Sequence, residues 1–188
     1  MRVIAGQARG HRLVAVKGWQ TRPTTDRVRE ALFNVLGHRV LGAHCLDLYA
    51  GTGALGIEAL SRGAAYVYWV EKAKAAWQVI EKNRQTTKML QGEIVKRDVY
   101  VACQQWLAEG RSFDLIFADP PYHQGQLLPL LPLMARGLLA PSGTLVLESA
   151  SDEELPEMVD HLRKRRSDRY GDTVLHYYQW DDLDAPQG

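Results

Sequence analysis

Apolar and polar positions along the chain change rhythm near residue 43. Before it, short apolar runs predict two strands, Val3–Ala5 and His11–Val16, around the glycine-bounded turn Gly6-Gln7-Ala8-Arg9-Gly10. A helix is predicted over Asp26–Gly37, with an apolar stripe of Val28, Leu32, Val35 and Leu36. Beyond residue 43 strands and helices alternate. The predicted strands are 44–49, 66–70, 94–96, 113–118 and 144–148, and the helices are 54–61, 72–88, 100–107 and 152–162. A helical stretch within 127–137 is interrupted by Pro129 and Pro132. The chain closes on two strands, 166–170 and 173–180, around Gly171-Asp172, a hairpin signal. Such alternation implies an α/β fold with a mostly parallel sheet, helices on both faces and an antiparallel C-terminal strand. In such sheets ligands bind beyond the carboxyl ends of the strands.

Those strand ends carry the chemistry. The first runs into Gly51-Thr52-Gly53-Ala54-Leu55-Gly56, a G-x-G-x-x-G spacing that suits a nucleotide cofactor of either the dinucleotide or the S-adenosylmethionine kind. Glu71, ending the second strand, is placed to accept hydrogen bonds from ribose hydroxyls. Three features favour S-adenosylmethionine. Asp47 puts a carboxylate where a pyrophosphate would be repelled and an ammonium welcomed. Asp98, at the end of the third strand, is placed to accept from an adenine amino group. The fourth strand ends in Asp119-Pro120-Pro121-Tyr122, which has no role in hydride transfer. Two prolines stiffen that loop and remove two N–H donors, so it presents acceptors: the Asp119 carboxylate and the Pro120 carbonyl. Tyr122 adds a face for base stacking. Two acceptors on an exocyclic base amine would concentrate its delocalised lone pair for attack on a methyl group.

Charge adds a partner. Residues 1–39 hold eight basic and two acidic side chains, a balance of +6 that leaves −5 for the rest of a chain of net charge +1. That asymmetry suits a polyanion at the N-terminal end, with Arg9, Arg12, Lys17 and Arg22 as candidate phosphate contacts, or else a solvated basic face. Cys45 and Cys103 lack metal-site spacing and read as reduced core residues, and no metal is expected. With no apolar run of membrane-spanning length and no signal-peptide pattern, a cytoplasmic protein is expected.

These motifs, together with Arg2–Gly6, Arg22–Asn34 and Gly53–Ala64, resemble the bacterial methyltransferases of guanine N2 in small-subunit ribosomal RNA over residues 2–148. The resemblance implies a Rossmann-like sheet of seven strands. It implies a basic hairpin extension at 1–20, a methyltransferase domain at 21–182 and a tail at 183–188. Carried over by motif, Gly51, Gly53, Glu71 and Asp98 bind S-adenosylmethionine, and Val99 flanks its adenine. Thr25, Asp26 and Arg29 are candidates at its methionine end, with a structural salt bridge the alternative for Arg29. Asp119, Pro120 and Tyr122 hold the guanine, and S-adenosylhomocysteine is the product. The implied substrate is 16S ribosomal RNA in a partly assembled small subunit with ribosomal proteins, met by a monomer. Three rival functions compete with this one: amino-methylation of adenine N6 in DNA or of a protein glutamine, a nicotinamide-dependent oxidoreductase, and a non-catalytic RNA-binding protein.

Overall fold

The computed structural model describes residues 1–18 and 26–181. Arg22, Thr25 and the tail at 183–188 lie outside the described residues. The chain divides into two compact units, Met1–Asp98 and Val99–Gly188.

The first unit is built on three parallel strands: β1 (His44–Leu48), β2 (Tyr66–Val70) and β3 (Gly92–Val95), in the order β3-β2-β1. Helices α1 (Asp26–Leu36), α2 (Ala54–Ser61) and α3 (Lys74–Thr87) accompany them. Because the strands are parallel and in register, their carboxyl ends align, bringing Asp47, Glu71 and the turn after Val95 to one edge. Trp69, fully buried on β2, sets the local spacing. A Cβ on Gly56 would lie 2.2 Å from its Nε1, and one on Gly92 would lie 2.5 Å from its ring. Helix α2 and strand β3 therefore reach the indole only through residues without side chains.

The N-terminal segment differs from expectation. In place of two strands there is a single antiparallel bridge, Arg2 to Arg12. Val3 and Leu13 N–H close that bridge on the His11 and Met1 carbonyls at 3.0 and 3.1 Å, while neighbouring amides go to side chains of the unit. Ile4 and Ala5 N–H donate to the Glu58 carboxylate at 2.8 and 3.1 Å, Ala8 N–H to Ser61 Oγ at 2.9 Å, and Val14 N–H to Asn83 Oδ1 at 2.7 Å. A Cβ on Gly6 would fall 1.7 Å from the Ser61 carbonyl, so only glycine lets this turn sit on the end of α2.

The second unit holds α4 (Val99–Ala108), β4 (Phe113–Ala118), a single turn α5 (Leu131–Leu133), β5 (Leu139–Ala150), β6 (Met158–Val159), β7 (Leu162–Tyr170) and β8 (Thr173–Trp180). Strand β4 runs parallel to β5, and β5-β8-β7-β6 continue antiparallel. The register skips from Phe113–Leu139 to Leu115–Thr144, so residues 140–143 bulge and the regular parallel pairing begins at Thr144, as read from the sequence. The helix expected at 152–162 is absent. Pro156 has no N–H to give, and its carbonyl accepts Tyr178 Oη at 2.6 Å. The Leu155 carbonyl accepts Lys164 Nζ at 2.8 Å. Asp160 then turns at φ 50, and β7 begins at Leu162, four residues before the predicted Arg166. The stretch 127–137 forms only α5 and a wide turn ending at Gly137, φ 120.

Gly56→Ala should destabilise the protein by about 1–3 kcal/mol, since the new methyl meets a rigid indole rather than a flexible chain end. Urea denaturation checks this; an unchanged midpoint would show that α2 can move off Trp69.

Candidate active site

In the first unit the loop after β1 reverses direction through three left-handed residues: Tyr49 (φ 56), Gly51 (φ 55) and Gly53 (φ 76). Tyr49 is not glycine, and a side chain held there marks stored backbone strain. The loop's polar groups are closely fixed. Gly51 N–H donates to Glu71 Oε2 at 3.1 Å, and Ala73 N–H donates to Oε1 at 2.8 Å. Asn83 Nδ2 donates to the Thr52 carbonyl at 2.9 Å and to the Val14 carbonyl at 3.0 Å. Trp69 Nε1 donates to the Gly53 carbonyl at 3.3 Å. Two backbone amides thus orient the Glu71 carboxylate, and each oxygen keeps acceptor capacity for a diol. A Cβ on Gly51 would meet nothing nearer than 3.8 Å. The loop face there stays low and open, a cradle that fits a nucleoside.

Asp47 is 2% exposed, and its Oδ2 accepts Gly56 N–H, the third amide of α2, at 3.0 Å. A dinucleotide site needs such amides for its pyrophosphate. Here one is taken by a carboxyl group, which argues against the nicotinamide reading. Burial pushes the Asp47 carboxyl up to about 8; the Gly56 amide opposes this and the nearby Glu71 carboxylate adds to it.

The remaining residues of the first unit take varied positions. Asp98 stands three residues past the end of β3 rather than at it, half exposed, with Lys72 Nζ 3.7 Å from its carboxylate. Val99, the first residue of α4 and of the second unit, is buried. Arg29 has no exposed side-chain surface. Its guanidinium donates to the Arg2 carbonyl and to Asp26 Oδ1 (3.0 Å), and lies 3.5 Å from Glu58 Oε2. Asp26 also accepts Arg2 N–H at 3.4 Å. Arg29 thus sits in a buried ion-pair network with Asp26 and Glu58. Arg9, Arg12 and Lys17 are exposed, while Ala8, Leu13 and Val16 between them are buried.

In the second unit β4 delivers Asp119 half-buried, Pro120 buried and Tyr122 partly exposed. The Tyr122 ring, expected from the sequence to offer a stacking face, is also anchored through its hydroxyl. It donates to Glu148 Oε1 at 2.8 Å and lies 2.8 Å from Thr173 Oγ1. Burial, then the Glu148 charge, pushes the phenol well above its ordinary range. His123 follows at φ 60, its N–H donating to Glu153 Oε1 at 2.9 Å, while Glu153 Oε2 accepts Ala150 N–H at 2.9 Å. Sequence reasoning missed Glu148, Thr173 and Glu153. The available signal was an acid closing the otherwise apolar run Thr144–Leu147, where a buried carboxylate needs a dedicated donor.

Comparison with known proteins adds the lineage. The family model described as Conserved hypothetical protein 95 matches residues 1–179. The chain is 36% identical over 180 residues to the Escherichia coli K12 protein named ribosomal RNA small subunit methyltransferase D, covering 95% of this chain and 89% of that one. It is 39% identical over 181 residues to a Bacillus subtilis protein named "Putative rRNA methyltransferase YlbH", covering 95% and 98%. Among solved structures, the "Putative methyltransferase yhhF" of Escherichia coli matches with TM-score 0.83 and 37% identity over 96% of this chain and 98% of that one. The fold is thus the Rossmann-like fold of the methyltransferases. The chain belongs to the conserved hypothetical protein 95 family, alongside the small-subunit ribosomal RNA methyltransferases D.

The Asp47 environment predicts a pH dependence. In the unfolded chain the carboxyl ionises near its ordinary 3.8, whereas in the folded protein it stays protonated to about 8. Native stability from this group is therefore fully present below about pH 4 and is lost as pH rises toward 8. Asp47→Asn, which keeps an acceptor for Gly56, should gain on the wild type progressively across that window. Denaturation midpoints at pH 5 and pH 8 measure it, and a constant difference between the two proteins would remove the proposed proton.

Proposed function

We propose that this protein transfers a methyl group from S-adenosylmethionine to the exocyclic N2 amine of a guanine in 16S ribosomal RNA, leaving S-adenosylhomocysteine. The observation that carries the reading is the Asp119–Tyr122 loop, a turn in which two prolines remove N–H donors and whose aromatic ring is pinned by its hydroxyl. The names borne by relatives at 36–39% identity support ribosomal RNA as the substrate. The buried carboxyl on Gly56 N–H favours a nucleoside without a pyrophosphate.

When bound, S-adenosylmethionine supplies an electrophilic methyl group on a sulfonium centre. Glu71, oriented by Gly51 and Ala73, accepts the ribose hydroxyls, and Asp98 with Val99 holds the adenine. Gly51 and Gly53 would keep the loop clear of β-carbons for the cofactor, and Asp47, buried, holds the Gly56 amide that fixes the start of α2. Arg29 is assigned to the scaffold with Asp26, and Thr25 remains a candidate at the methionine end. Asp119 and the Pro120 carbonyl accept the two amine hydrogens of the guanine, which aligns the nitrogen and localises its lone pair. As the amine gains positive charge, the Asp119 carboxylate stabilises it, and the extra proton can leave afterwards. Tyr122 stacks on the base. Arg9, Arg12 and Lys17, with Arg22, contact phosphates of the RNA in a partly assembled small subunit, where a cytoplasmic monomer meets it.

Asp119→Ala should lower the single-turnover methylation rate on small-subunit RNA by about 10²–10³-fold, the scale seen when one preorganised electrostatic group is removed. S-adenosylhomocysteine affinity should stay within twofold, and Asp119→Asn should retain more activity than alanine. Near wild-type turnover in the alanine variant would end this assignment of the loop. Separately, replacing Arg9, Arg12 and Lys17 with alanine should weaken RNA binding and reduce its log–log salt slope by roughly one unit for each phosphate no longer neutralised, with cofactor affinity unchanged. An unaltered salt slope would leave the segment a solvated face.

A further inference from the structure

We propose that Glu148 and Thr173 are positioning residues that set the angle of the Tyr122 ring, with Glu153 fixing the next residue of the loop. The inference rests on the reading of Asp119–Tyr122 as the substrate-binding loop. Glu148 lies opposite Leu175, and Thr173 lies opposite Ala150, in the antiparallel β5–β8 pair. Paired residues share a sheet face, so Glu148 and Thr173 are diagonal neighbours on one face. Both are buried. Their oxygens converge on the same phenolic oxygen, each at 2.8 Å.

The donor inventory settles the directions. A carboxylate only accepts, so the single Tyr122 O–H proton goes to Glu148, and Thr173 Oγ donates to Tyr122 Oη. The hydroxyl's proton is therefore committed within the fold, and Tyr122 acts on a base through its ring. A ring that could turn about its own axis or swing with the loop would stack at many angles. The phenolic oxygen lies on the ring's own axis, so holding it from two strands stops the swing, and the in-plane preference of a phenol's hydrogen bonds sets the ring plane about that axis. The neighbouring attachment adds to this: Glu153 accepts the amides of His123 and Ala150 with its two oxygens, tying the loop to the end of β5. The left-handed backbone of His123 is retained by that hydrogen bond. Two consecutive loop residues are thus referenced to one rigid strand, which holds Asp119 and Pro120 at a constant offset from the ring.

The test uses Tyr122→Phe, Thr173→Val and Glu148→Gln in the full chain, with single-turnover methylation of small-subunit RNA, S-adenosylhomocysteine binding and amide hydrogen exchange across 119–126. Tyr122→Phe and Thr173→Val should each slow methyl transfer by about tenfold, the scale of one hydrogen bond removed. Cofactor affinity should hold, and the loop amides should exchange faster. Glu148→Gln, which keeps an acceptor oxygen, should lose less. Combining it with Tyr122→Phe should cost no more than Tyr122→Phe alone, because both changes remove the same interaction. Wild-type rate and wild-type loop exchange in Tyr122→Phe would overturn the proposal. So would fully additive losses, or a parallel drop in cofactor affinity. A wild-type protein that does not methylate the RNA would instead overturn the functional reading, while the exchange measurement still reports whether the hydroxyl holds the loop.

Discussion

A carboxylate with no exposed surface organises the first unit. Glu58 accepts the amides of Ile4 and Ala5, receives Arg62 Nε at 2.8 Å, and faces Arg29 Nε at 3.5 Å. Burying a carboxylate costs several kcal/mol and is tolerated only where donors replace its water on every side. That requirement makes the site cooperative. The N-terminal segment and Arg62, the residue after α2, supply donors, and α1 supplies the charge of Arg29; withdrawing any of them leaves the buried carboxylate less compensated. From this point the constraint reaches the loop after β1, since Asn83 bridges the Val14 and Thr52 carbonyls. The exposed basic side chains of residues 9–17 are therefore mounted on the scaffold that holds that loop.

The acids at the strand ends show how one residue type takes on different tasks. Asp47 is sealed inside and serves a helix amide. Glu71 is buried yet oriented by two amides, which leaves acceptor capacity on both oxygens. Asp98 is half exposed beside a lysine. Composition alone treats them as equivalent carboxylates. Depth and the number of amides each receives set these three carboxyl groups apart.

What the sequence made legible follows from how local each signal is. Strands β2, β4 and β8 and helix α2 coincide with their predicted limits, because continuous apolar runs bounded by glycine or charge need no distant partner to be recognised. The segment at 1–16 pairs only over a short bridge, Val3 N–H to His11 and Leu13 N–H to Met1, while the amides of Ile4, Ala8 and Val14 turn to Glu58, Ser61 and Asn83, all distant in the chain. The helix expected at 152–162 is lost for a similar reason, its carbonyls being taken by Lys164 and Tyr178. For Arg29 the sequence left two roles open, and its burial is decided by a carboxylate in α2 that no local pattern announces. In the site, the loop residues were legible by motif, whereas Glu148 and Thr173 emerge only once β5 and β8 are paired.

The crowding around Trp69 ties together residues that are far apart in the chain. Its indole lies 2.2 Å from where a β-carbon on Gly56 would sit, 2.5 Å from one on Gly92 and 3.3 Å from one on Gly53, beside contributions from Val67 and Ile80. Of the three, Gly56 depends most on the bulk of residue 69, whereas Gly92 is also held by the Val67 carbonyl, 2.2 Å from such a carbon, and Gly53 by Ile80 at 3.0 Å and by its left-handed backbone. A smaller side chain at 69 would relax the crowding at Gly56 first, and would also remove the donor to the Gly53 carbonyl. Among homologues, drift at residues 56 and 69 should be correlated rather than independent. Part of what passes for a cofactor signature in the G-x-G-x-x-G spacing then records the shape of a core residue.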